Sequence, residues 1–328
     1  VTLWVGTYEE QGGSGLYPLV GMDPLVVAEP VEAITNASFA AWSPLHRLAY
    51  FVDERADGRV GAWRHDIGGW SPAGTCPSGG SMPCYVSASH DGSWLAIANY
   101  ENGSVGLIAL NSTTGQPERL SDIYQATGSG LDAERQDGPH SHSVVFSPDD
   151  TALYHADLGT DRIYRHAIGS SGFTDTTVAF QAPAGHGPRH LLLLAGGERA
   201  LLICELGARL LLLRCEGERF VCLDDVPTAP EPSEGNLGGH LGLGPDASIY
   251  VTNRGHDSLV RFTIEGDKLV RGDWWPTGGS SPRHFVIDGA AAIVAHEEDG
   301  GVTRLNLQSG VVSRAKIPAA AFLIDIPD

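Results

Sequence analysis

Two stretches of the chain set Arg-His directly before an apolar run: GPRHLLLL from Gly187 to Leu194 and SPRHFVID from Ser281 to Asp288. Downstream of the first, the run LLICE ends on an acid, Glu205. These are the residue types of acid–base chemistry on an anionic or carbonyl substrate. A guanidinium offers a planar fork of donors to carboxylate, phosphate or a developing oxyanion. An imidazole titrates near neutral pH and can carry a proton in either direction. A carboxylate that follows an apolar run must be solvated, hydrogen-bonded or paired, and Arg189 is its natural partner in the same unit. Two readings of Glu205 stand: a structural salt bridge, or a general base or water-orienting group. His142, beside His140 in PHSHS, and Arg254, in TNRG, extend the set. Arg189, Arg254 and Arg283 together could form an anion pocket. Surface solvation is the alternative for Arg254 and Arg283. For His190 and His284 the alternative is a hydrogen bond that ties neighbouring structural units together.

Such residues lie far apart in sequence, so the fold must gather them. The chain has 328 residues, 42 of them Gly and 20 Pro, with aliphatic runs of strand length and no long amphipathic stretch. Short strands and turns are expected throughout, an all-β fold. Apolar runs that follow a turn end at Thr7, Asp53, Asn99, Asp157, Glu205, Asn253 and His296, about 45 residues apart. Each is followed by turn residues and a second strand-like run, and most are preceded by a hairpin turn such as SHDG or SPDD. A repeat of this length holding four strands is the signature of a β-propeller blade. The reading is a single domain over 1–328, a seven-bladed β-propeller of four-stranded antiparallel blades around a central channel. The longer gap between Asn99 and Asp157 places an insertion in the Gly-rich polar segment around Gly128 to Gly138, and the C-terminal segment is expected to close the ring.

Composition limits the partners. A formal charge of −19, with Lys268 and Lys316 the sole lysines, disfavours nucleic acid and anionic membrane. It is compatible with a small anionic substrate, because exposed charges are screened beyond about 8 Å. No apolar run reaches the roughly 18 residues of a membrane span. The beginning VTLWVGTYEE lacks signal-peptide character. Five cysteines without C-x-x-C spacing suggest neither a disulfide framework nor structural zinc, and point to the cytoplasm. No cofactor is implied. G-x-S-x-G, H-E-x-x-H and P-loop motifs are missing, and no metal is assigned, although HSH and HGPRH leave open a site assembled across blades.

The segments VGTY, ANYENGSV, DGPHSHSVVFSPDD, ADLGTDRIY, GPRH with its downstream ELG, TNRGHDSL and TGGSSPRHF, in this order, resemble the seven-bladed propeller lactonase family, which includes 6-phosphogluconolactonase and a carboxy-cis,cis-muconate cyclase. The chain departs from that pattern in its last turn, which is shorter, and at His296, where the family usually carries Asn. The resemblance implies hydrolysis of 6-phosphogluconolactone or a related sugar lactone, in carbohydrate metabolism of the pentose phosphate type. It implies His142, Arg189, Glu205 and Arg254 as catalytic; His140, His190, Arg283 and His284 are the substrate-binding candidates from their positions in the repeat. On this reading His142 or Glu205 handles the proton, Arg189 meets the oxyanion, and Arg254 with Arg283 holds the anionic tail. Two alternatives stay open: a lactonizing cycloisomerase acting on a carboxymuconate, and a non-catalytic binding module, to which the adjacent Trp274 and Trp275 would contribute an aromatic mouth.

Overall fold

A computed structural model describes residues 2–327. Among the described residues 28 strands form seven four-stranded antiparallel sheets. The first sheet holds β1 (Thr2–Thr7), β2 (Tyr17–Met22) and β3 (Leu25–Val27). The second has β4 (Ala40–Ser43), β5 (Leu48–Asp53), β6 (Arg59–Asp66) and β7 (Gly69–Pro77), and the third β8 (Pro83–Ala88), β9 (Trp94–Asn99), β10 (Ser104–Leu110) and β11 (Pro117–Gln125). The fourth has β12 (Ser141–Phe146), β13 (Ala152–Asp157), β14 (Arg162–Ile168) and β15 (Phe173–Gln181), and the fifth β16 (Pro188–Leu193), β17 (Arg199–Cys204), β18 (Arg209–Glu216) and β19 (Arg219–Pro227). The sixth has β20 (Leu237–Leu243), β21 (Ile249–Arg254), β22 (Ser258–Glu265) and β23 (Lys268–Pro276), and the seventh β24 (Pro282–Asp288), β25 (Ala291–His296), β26 (Gly301–Asn306) and β27 (Val312–Lys316). Strand β28 (Ala320–Ile326) returns to pair with β1, so the last strand completes the first sheet. The expected closing segment is therefore split: its first half is the outer strand of the seventh sheet. The insertion falls at 126–140, between β11 and β12.

Two compact units are distinguished, one of residues 2–37, 205–212 and 223–327, the other of 38–204 and 213–222. Within each, the inner strands of the sheets are the most buried. Strands β13 and β25 are buried at every position, whereas the outer strands β19 and β23 are largely exposed. The reason is sheet-on-sheet packing. In the second unit Leu48, Tyr50, Val52, Leu95 and Ile97 join the second and third sheets. In the first unit Leu3, Val5, Ile293 and Leu323 join the seventh and first. Full burial of one such Leu or Ile is worth about 1.5–3 kcal/mol, which explains why the second strands read as continuous apolar runs.

The polar residues that end those runs hold the sheet together. Asn99 donates to the Ser78 carbonyl at 3.2 Å and Asn253 to the Thr228 carbonyl at 3.1 Å, each tying the strand end to the connection ahead of its own sheet. His296 does the same through Thr303, which it meets at 2.9 Å and which donates to the Thr277 carbonyl at 2.8 Å. The Asn-to-His departure at this position is thus a substitution of one tether for another.

Register corrects the phase of the repeat. Asp157 pairs with Ser141, Asn99 with Pro83 and His296 with Pro282, but the residue opposite Pro188 is Cys204. The fifth strand end is Cys204, and Glu205 lies one residue beyond it. Cysteine behaves as a small apolar side chain, so it reads as part of the run. A second regularity was hidden from the sequence. In four sheets the first strand (β8, β12, β16 and β24) bulges at its second residue: Cys84, His142, Arg189 and Arg283 are each skipped by the ladder. A bulge re-aims the side chain it carries. Counting residues back from the strand ends aligns His142 with His190. The ladder instead aligns His142 with Arg189 and Arg283.

Candidate active site

Two positions per sheet therefore matter: the bulge, and the residue just past the second strand. The latter is Tyr8, Tyr100, Glu205 or Glu297, depending on the sheet; in the sixth sheet Arg254, which follows the polar Asn253, is itself the last residue of β21.

In the first unit these positions form two ion pairs. Arg254 Nη2 lies 2.7 Å from Glu205 Oε2, with side chains 12% and 3% exposed. The geometry is that of a charge-assisted hydrogen bond. Arg254 Nη2 also donates to the Gly238 carbonyl at 3.2 Å, and the Gly238 amide donates to the Glu205 carbonyl at 2.9 Å, so backbone and side chains lock the pair. The sequence assigned Glu205 to Arg189; the structure gives it a partner, Arg254, that the sequence reading did not. Arg283, aimed by its bulge, donates through Nη1 to Glu297 Oε2 at 3.0 Å and through Nη2 to the Tyr8 hydroxyl at 2.7 Å. The next residue, His284, stacks on His240 with ring centroids 3.9 Å apart and meets Phe322 edge-on at 4.6 Å. The β20 bulge carries Gly239 because a Cβ there would collide with Thr252 Oγ1 and the Pro282 carbonyl. That leaves His240, the other bulge residue, as the side chain that reaches His284.

In the second unit the set is buried and aromatic. His142, Arg189 and His190 are all at least nine-tenths buried. His142 and His190 meet at 5.4 Å in a T-shaped contact, and Tyr85 packs against His190 at 5.3 Å and is bracketed by Phe39 at 3.9 Å. Arg189 Nη1 lies 3.1 Å from His190 Nε2, a contact that requires that nitrogen to accept. Burial pushes the Tyr85 phenol up to about 12, against the opposing pull of the Arg189 cation. His140 comes from the inserted segment: it stacks on Tyr100 at 4.7 Å, its Nδ1 meets the Tyr100 carbonyl at 2.9 Å, and Asp137 holds its Nε2 at 3.2 Å. Tyr100 also contacts His142 edge-on at 5.6 Å and accepts a hydrogen bond from Arg135 at 3.1 Å. The insertion thus folds onto the position just past the third sheet's second strand.

A further group of titratable residues sits wholly inside the second unit. His155 and His166 on β13 and β14 approach at 3.4 Å, Asp157 lies 3.7 Å from His155, and Thr176 binds His166 at 2.9 Å. All of these histidine and aspartate side chains are shielded from solvent. Burial drives His155 well below the usual imidazole range and His166 down to about 3, while it raises Asp157 to about 6 against the Thr160 hydrogen bonds. His296, in the first unit, falls to about 4, again chiefly by burial. Among the described residues no cluster of three or more His, Cys, Asp or Glu side chains is arranged to hold a metal ion. Trp274 and Trp275 lie on β23, the outermost strand of the sixth sheet, and so do not furnish an aromatic mouth.

The sequence reading missed Tyr8, Tyr100, Glu297, Tyr85 and His240. The first three carried a signal: in VGTY, ANYENG and AHEEDG each stands directly after the polar strand end, the place Glu205 and Arg254 hold.

Comparison with known proteins agrees with this architecture. The family model described as "Lactonase, 7-bladed beta-propeller" matches residues 2–319. A 6-phosphogluconolactonase of Bacillus subtilis is 28% identical over 313 residues, 91% of this chain and 88% of the relative. One from Formosa agariphila is 26% identical over 304 residues, covering 87% and 85%. The solved structure of a periplasmic gluconolactonase from Pseudomonas aeruginosa superposes with a TM-score of 0.85 at 27% identity, covering 99% of each chain. The seven sheets are accordingly the blades of a seven-bladed β-propeller.

Proposed function

From the premise that this chain belongs to the seven-bladed β-propeller lactonase family, we propose that it opens a six-membered sugar lactone, 6-phosphogluconolactone or an aldonolactone of the same skeleton, by direct attack of water. It is a lactone hydrolase by its relatives, two of which are 6-phosphogluconolactonases. The observation that carries the assignment to particular residues is the buried Glu205–Arg254 pair at 2.7 Å.

In the proposed step, water oxygen adds to the lactone carbonyl as its proton passes to a base, and the tetrahedral oxyanion is met by a guanidinium. The ring C–O bond then breaks, its oxygen takes a proton, and a hydroxy acid is released. Glu205 orients or deprotonates the water and Arg254 stabilises the oxyanion. The ion pair sets both groups before substrate arrives, and preorganised charge of this kind costs no reorganisation during reaction. Assistance by a positioned acid or base is typically worth about 10²–10⁴-fold. His142 and Arg189 are kept as catalytic candidates on the family resemblance alone, and His140 and His190 as candidates for binding substrate. The intrinsic reactivity of strained esters leaves no need for a covalent intermediate.

The test is acid release, followed in a pH-stat, from freshly prepared glucono-δ-lactone and 6-phosphogluconolactone, with 3-carboxymuconate as a separate arm followed by ultraviolet absorbance. Turnover of either lactone above its spontaneous rate is expected. Turnover of the muconate alone would replace hydrolysis with cycloisomerisation.

A further inference from the structure

We infer that the lactone this chain opens is uncharged rather than phosphorylated, and that Glu297, paired with Arg283, sets that preference; the inference rests on the hydrolase reading above. Arg283, and Arg254 beside its role at the oxyanion, are the guanidinium groups on which an anionic tail could dock. Each already faces a carboxylate of its own: Arg254 meets Glu205 at 2.7 Å and Arg283 meets Glu297 at 3.0 Å. None of these four side chains is more than 18% exposed, so water screens the charges poorly. A phosphate dianion docked on either guanidinium would lie beside the carboxylate that neutralises it, and the attraction of one would be offset by repulsion from the other.

A sugar hydroxyl fits the same arrangement well. It donates to a carboxylate oxygen and accepts from a guanidinium N–H, so a paired arginine and carboxylate supply both halves of what it needs. Tyr8 adds a phenol that bonds Arg283 Nη2 at 2.7 Å. Its ring centroid is 5.3 Å from the Arg283 guanidinium carbon, which fixes the cation further. The chain as a whole carries 40 acidic against 21 basic residues, a field that disfavours the approach of dianions.

The experiment compares kcat/KM for glucono-δ-lactone and 6-phosphogluconolactone at fixed ionic strength, in the wild type and in Glu297→Gln, with thermal melting to confirm folding. The wild type is expected to favour the neutral lactone by about tenfold or more. The substitution, which strips Arg283 of its counter-charge, is expected to move the ratio toward the phosphorylated lactone by about tenfold. A wild type that prefers the phosphorylated lactone, or a ratio unmoved in Glu297→Gln, overturns the inference. Should that variant fail to fold, Tyr8→Phe serves: it keeps Glu297, so the preference for the neutral lactone must persist while its KM rises. If neither lactone is opened, the hydrolase reading fails on its own. Calorimetric binding of glucose against glucose 6-phosphate then decides the charge preference, and tighter binding of the phosphate sugar contradicts it.

Discussion

The Arg–carboxylate pairs of the first unit and the histidine cluster of the second contain the same kinds of side chain and have opposite consequences. Glu205, Arg254, Arg283 and Glu297 stand at bulges or strand ends, largely buried but each matched by an opposite charge. His155, His166 and Asp157 lie mid-sheet or at a strand end with no exposure; burial holds both imidazoles neutral and raises the Asp157 carboxyl to about 6. The lesson is that residue type alone does not mark chemistry. Position relative to the ladder decides whether an ionisable group keeps its charge and meets a ligand, or serves as a tether.

The comparison can be broken most sharply at the ion pair. Arg254→Ala leaves a buried carboxylate without one of its partners, a change that typically costs about 3–5 kcal/mol. It is expected to lower kcat/KM for the lactone by at least about 100-fold, the scale of losing one oxyanion donor. Steady-state kinetics with a melting curve check both. The second unit's set should respond less: His142→Asn is expected to reduce kcat by up to about 100-fold with little change in KM, the low end of what a positioned acid or base supplies. Full activity in that variant would remove His142 from the reaction.

The interior cluster should report through stability, not turnover. His155, His166 and His296 are neutral in the folded chain but take up protons near 6.5 when unfolded, so the unfolded state binds more protons as pH falls. Their stabilisation is complete above about 6.5 and is lost as pH drops through it toward about 4 for His296 and about 3 for His166. Asp157 works the other way: its folded carboxyl keeps a proton up to about 6, so acidification relieves a penalty and offsets one histidine. The net expectation is a melting temperature that declines from pH 7 to pH 5. Each uncompensated proton contributes about 1.4 kcal/mol per pH unit. His166→Leu should flatten that slope by one proton while leaving kcat intact. Smallest of all, His296→Asn should restore a direct tether and change both stability and activity little, as differential scanning calorimetry and the lactone assay would show.

Much of this was legible in the sequence. Seven repeats, their four-strand content, the insertion before His142 and most of the strand ends follow from apolar runs and turn residues, because second strands packed on both faces must be continuously hydrophobic. The phase of the fifth repeat was not, since Cys204 joins the apolar run and shifts attention to Glu205. The bulges were also hidden. One extra residue in a ladder leaves no hydrophobic trace, and the available cue was the proline that opens three of the bulged strands, Pro83, Pro188 and Pro282, a position that proline tolerates in a sheet. The pairing of Arg283 with Glu297 and Tyr8 could not be read locally, because Tyr8 belongs to the first repeat and Arg283 to the last.

The account stands on Glu205 acting in lactone opening with Arg254 beside it. The most direct test is the kcat/KM of Glu205→Gln, which keeps the shape and removes the charge, measured on the preferred lactone together with its melting temperature. A fall of at least about 100-fold in a folded protein is the expected result. A folded Glu205→Gln enzyme that opens the lactone at the wild-type rate would contradict it.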